Sequence, residues 1–66
     1  MTIELNGEPV QLESAATVAR AVERLGAQRR GVAVAVDGEV VPRSEWDRTR
    51  LADGQKVEVV GAIQGG

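Results

Sequence analysis

The chain opens on a clean alternation of apolar and polar positions. In "TIELN", Ile3 and Leu5 fall on one side of an extended backbone and Thr2, Glu4 and Asn6 on the other, the pattern of a half-buried strand. Asn6-Gly7 comes next, a dipeptide suited to a type I′ hairpin turn because both central residues need positive φ. "EPVQL" then offers Val10 and Leu12 to the same core. Pro9 has no N–H to give a ladder, so this second strand is expected at a sheet edge. In "ESAATVARAVERLG" the period changes: Val18, Ala21, Val22 and Leu25 stand at i, i+3, i+4 and i+7, one apolar stripe of a helix. Thr17, with Ser14 as the alternative, is placed to cap the first turn, and Gly26 to end the helix.

"GVAVAVDGEVVPR" repeats the hairpin logic with Asp37-Gly38 at the turn. Its first arm, 32–36, is apolar on both faces, which implies either a strand covered on both sides or a face left apolar for a partner. Pro42 ends the second arm. "SEWDRTRLADG" is irregular, with one helical turn expected over 44–47 and a turn at Asp53-Gly54; "QKVEVV" is the last strand, with Val57 and Val59 facing inward. The order hairpin, helix, hairpin, loop, strand predicts an α+β fold: a mixed sheet of about five strands with one main helix packed on one face. The last strand is expected beside the first in the sheet centre, the ubiquitin-like β-grasp. Residues 1–61 make up this domain and residues 62–66 a flexible C-terminal tail.

Composition narrows what such a domain can do. In 66 residues there is room for one core, and having no Cys and no His excludes disulfides, zinc fingers, thiolate nucleophiles and imidazole bases. A single Trp, no Phe and no Tyr leave no base-stacking platform, and a net charge of −2 does not neutralise phosphates, so nucleic acid is not an expected partner. No apolar run approaches the roughly 20 residues needed to cross a bilayer, and "MTIELNGEPV" lacks a signal-peptide pattern. No membrane partner and a cytoplasmic location are the expectation.

The carboxylates are scattered over turns and polar faces, without the convergent pair that acid–base catalysis requires. Neither "GEVVPR" nor "GAIQGG" has the strand–loop–helix context of a phosphate cradle. Arg29-Arg30 could attract a phosphate or an acidic partner, although such a pair is more often a solvated loop after a helix. Trp46 in "VPRSEW" is expected to plug one end of the core, with a partner anchor as the sharper alternative. What remains is "GAIQGG". Glycine has no Cβ to block a close backbone approach, so Gly65 and Gly66 would make a slim tip for another enzyme's narrow active site. A flexible tail of no function is the alternative that the diglycine alone leaves open.

From "MTIELNGEPV" through "TVARAVERLG", "VAVAVDGEVVPRSEW" and "LADGQKVEVVGAIQGG", the whole chain resembles the sulfur carrier proteins of thiamine thiazole biosynthesis, the ThiS family. "VPRSEW" and the terminal "GAIQGG" are the most specific segments. The resemblance implies a protein co-substrate without a catalytic site, metal or bound cofactor of its own. An E1-like adenylyltransferase would use ATP and Mg to convert the Gly66 carboxylate into an acyl-adenylate. Sulfur relayed as a persulfide would displace AMP and leave a thiocarboxylate on Gly66, which thiazole synthase would accept. Ala62, Ile63, Gln64 and Gly65 would be the part of the tail that partner enzymes grip. An apolar sheet surface drawn from Val32, Val34, Val36, Val57 and Val59 is the expected docking face. Carrier function in molybdopterin synthesis, a plain β-grasp binding module and a ubiquitin-like modifier remain the alternatives.

Overall fold

The computed structural model describes residues 1–61. They form strands β1 (Thr2–Leu5) and β2 (Glu8–Gln11), helix α1 (Val18–Leu25), strands β3 (Val32–Val36) and β4 (Glu39–Val41), a 3₁₀ turn (Arg43–Glu45) and strand β5 (Lys56–Gly61). The five strands make one sheet in the order β2-β1-β5-β3-β4. β1 and β5 run parallel in the interior of the sheet, and the remaining pairs are antiparallel. The α+β β-grasp expected from the pattern is the fold observed.

Local chemistry accounts for the elements. Both hairpins turn on the expected pairs: Asn6 and Gly7 have φ of 50° and 86°, and Asp37 and Gly38 have the same values. Pro9 lies opposite Glu4 on the edge strand β2, where the missing N–H faces away from any partner strand. Thr17 caps α1, its side chain accepting from the Arg20 N–H, and Gly26 ends the helix in the left-handed conformation at φ 83°. Two further helix N–H groups are satisfied from the irregular segment: Val18 donates to the Thr49 carbonyl at 2.9 Å and Ala19 to that of Trp46 at 3.1 Å. The loop after β4 is thus a cap for α1.

The core lies between α1 and one face of the sheet. Ile3, Leu5, Val34, Val57 and Val59 come from the strands, Val18, Ala19, Ala21 and Val22 from the helix, and Leu12, Ala16, Trp46 and Leu51 from the connections. Trp46 is buried as expected, and its indole N–H donates to the Val41 carbonyl at 2.9 Å. Leu25 departs from the expected stripe and is 42% exposed. It is the last helical residue; the chain turns at Gly26, and Ala27 packs against the core in its place.

Candidate functional site

β5 carries the chain from the sheet centre to residues 62–66. Its register puts Gly61 beside Val32, Val60 beside Ala33 and Val59 beside Val34. On the other side, β1 is too short to follow it. The parallel ladder reaches Leu5 opposite Val57, with the Asn6 N–H donating to the Val57 carbonyl at 2.9 Å. Beyond that point the Asn6 side chain takes over. Its Oδ1 accepts from the Val59 N–H at 2.8 Å and its Nδ2 donates to the Val59 carbonyl at 3.2 Å. The side-chain amide mimics one more peptide unit of β1, so β5 is held from both sides until two residues before Gly61. The sequence marked Asn6 only as a turn residue; its second task depends on β5 lying alongside, about which the local pattern is silent.

The sheet has two unlike faces. Val34, Val57 and Val59 point toward α1 and are buried, while Val32 and Val36 are partly buried against the same core. The sequence pattern offers those five valines as a docking surface; the structure places them on the inner side. The parity of a strand explains the correction, because alternate residues share a face and these alternate in step with Ile3 and Leu5. The outer face carries the other set: Ala33, Ala35, Val40 and Val60 line one apolar depression with Glu58 at its edge. Val40 and Val60 are 74% and 59% exposed. Glu4, Lys56 and Glu58 carry the same face on toward β1, and with Asn6, Gly7, Asp37, Gly38 and Val60 they line a second, more polar depression.

Opposite Trp46, Arg29 is fixed in place. Its guanidinium donates to both carboxylate oxygens of Asp47, at 3.2 and 2.9 Å, and lies 5.5 Å from the centre of the indole ring. The hydrogen bond from Arg29 holds the Asp47 carboxyl below its ordinary range, and the same bond raises the guanidinium. Among the described residues, no three His, Cys, Asp or Glu side chains gather as a metal site, and no helix is long and apolar enough to cross a membrane. Ala62, Ile63, Gln64, Gly65 and Gly66 lie outside the described residues.

Comparison with known proteins sharpens this picture. The ThiS family model matches residues 3–66. The chain is 30% identical to the sulfur carrier protein ThiS of Escherichia coli over 66 residues, the full length of both. It is 42% identical to that of Thermus thermophilus over 62 residues, covering 94% of this chain and 95% of the relative. A thiazole synthase of Paramagnetospirillum magneticum is 36% identical over 66 residues, and there the chain spans only 20% of the relative's length. The crystal structure of a ThiS thiamine biosynthesis protein from Geobacter metallireducens superposes with a TM-score of 0.80 at 33% identity, with complete coverage of both chains. With a family match across nearly all its residues and that fold beneath it, the chain belongs to the ThiS family.

Proposed function

We propose that this chain is the sulfur carrier of thiamine thiazole formation, with Gly66 as the residue that bears the sulfur. The observation that carries this is the match to the ThiS family through Gly66, with the Escherichia coli carrier covered from end to end. The fold supports it. β5 delivers the chain from the middle of the sheet at Gly61, and the five residues to Gly66 span at most about 17 Å when extended, enough to enter a deep active site while the domain stays outside. In this reading an E1-like adenylyltransferase uses ATP and Mg to activate the Gly66 carboxylate by joining it to AMP. A persulfide sulfur then displaces AMP, leaving a thiocarboxylate for thiazole synthase. The domain supplies no acid, base or metal; it binds, and presents the tail.

Docking falls to the outer sheet face. Ala33, Ala35, Val40 and Val60 form an apolar depression continuous with the strand that leads to the tail, so an enzyme holding Gly65 and Gly66 meets this surface next. Ala62, Ile63 and Gln64 join the two.

The test is intact-mass analysis after incubation with the adenylyltransferase, ATP, Mg and a cysteine-derived persulfide donor. One oxygen should be replaced by sulfur, localised to Gly66 by fragmentation. Deleting Gly66 should abolish the change and leave the melting curve as it was. Sulfur delivery by the truncated chain, or modification elsewhere, would refute the proposal.

A further inference from the structure

The antiparallel register brings three distant stretches to one end of the sheet. Gly61, where β5 hands over to residues 62–66, pairs with Val32, two residues after Arg30. Val41 pairs with Val34 one strand further out, and the chain runs on from it to Arg43. Arg29, Arg30, Arg43, Ser44 and Asp47 therefore line one surface concavity at the end of the sheet from which the tail departs. Three arginines and one aspartate give it a local charge of +2, in a chain whose net charge is −2.

The three guanidiniums are not equivalent. Arg29 is committed to Asp47 and to the Trp46 ring. Arg30 and Arg43 enter no ion pair among the described residues and lie exposed in the same concavity as that pair. A positive cluster beside the exit of a tail that must enter another protein points to an anion at that protein's entrance. The Asp47 carboxylate inside the same concavity disfavours a tightly held phosphate, whereas two outlying guanidiniums suit carboxylates presented by a second surface.

We infer that Arg30 and Arg43 form a recognition element beside the tail exit, engaging acidic side chains on the rim of the adenylating enzyme's tail-binding channel. This rests on the carrier function proposed above. Charges so exposed act chiefly on encounter: they steer the partner and orient the tail, and salt screens them.

The experiment is stopped-flow association of the full chain with the adenylyltransferase as a function of salt. Arg30→Gln with Arg43→Gln should slow association roughly tenfold at low ionic strength and flatten its salt dependence. The difference should vanish toward about 1 M salt, where the Debye length is about 3 Å. Arg30→Lys with Arg43→Lys should restore most of the rate, since steering reads charge. Arg50→Gln is the control, because Arg50 is also exposed but does not line the concavity, and is bridged to Thr17 at the start of α1. Association of the double Gln variant at the wild-type rate would overturn the inference. So would a defect confined to adenylation at saturating carrier, which would assign the cluster to a nucleotide phosphate. Melting curves confirm that each variant is folded. Thiocarboxylate formation on the unsubstituted chain separates failure of this inference from failure of the carrier function.

Discussion

Asn6 offers the most direct test of how the tail is mounted. Its side chain makes two hydrogen bonds to the backbone of Val59, at 2.8 and 3.2 Å, where β1 has ended and β5 continues. Substitution by Gly removes both while preserving the turn, because position 6 needs a φ of 50°. Two hydrogen bonds of about 1 kcal/mol each predict a loss of about 2 kcal/mol; the extra freedom of glycine in the unfolded chain would add to it. In a domain of this size that lowers the melting temperature by roughly 8–16 °C. The matching fall in amide protection at Val59 is about 30-fold, at about 1.4 kcal/mol per factor of ten. Asn6→Asp divides the effect: the carboxylate still accepts from the Val59 N–H but turns an oxygen toward the Val59 carbonyl, so it should fall between wild type and Asn6→Gly near neutral pH. Thermal unfolding and hydrogen exchange read both variants. If Asn6→Gly melts within about 0.5 kcal/mol of wild type with Val59 protection unchanged, Asn6 is only a turn residue and the side-chain extension of β1 has no energetic content.

On β5, Val59→Thr should cost about 1–3 kcal/mol because it buries a hydroxyl, whereas Val60→Thr on the exposed face should change the melting point little and weaken partner binding in a pull-down. Trp46→Ala should cost about 3–5 kcal/mol, close to the whole stability of a small domain, and Trp46→Phe should lose less volume while leaving the Val41 carbonyl without its donor. The Asp47 carboxyl titrates lower in the folded chain than in the unfolded chain because Arg29 donates to it, so its contribution is present above about pH 4 and is lost as pH falls through the folded value. Asp47→Asn should therefore narrow the gap in stability between pH 7 and pH 3, measured by denaturant melts at each pH, and a gap as wide as that of wild type would refute the pairing.

The fold was legible wherever a residue type has one physical use. Asn6-Gly7 and Asp37-Gly38 need positive φ, Pro9 cannot sit inside a sheet, and Thr17 and Gly26 bracket a helical stripe; the structure keeps all of these. Legibility failed where the outcome depends on what lies opposite. In β3 every residue is Val or Ala, so apolarity could not say which face meets α1, and the valines chosen as a docking surface proved to belong to the inner side. The outer face announces itself instead through Val40 and Val60, which stand off the alternation and are exposed among the described residues. Leu25 failed for a different reason, since a periodic stripe does not reveal where the chain will turn out of the helix, here at Gly26. The capping of α1 by the carbonyls of Thr49 and Trp46 was hidden because both acceptors are backbone atoms, which any residue carries.

On the proposal that Gly66 bears the sulfur, an enzyme must reach residues 62–66 while their root in β5 holds. The strand order answers this. Had β5 been an edge strand, the pull of an enzyme on residues 62–66 would act against a single ladder and could peel the strand away. In the centre, β5 is paired with β3 through Gly61 and with β1 and the Asn6 amide through Val59, so the hold ends within two residues of the release point. The side chains along this strand then divide by parity. Val57 and Val59 anchor it in the core, while Glu58 and Val60 face outward where a partner can reach them. One strand thus serves as core element, as root of residues 62–66 and as part of the exposed outer face.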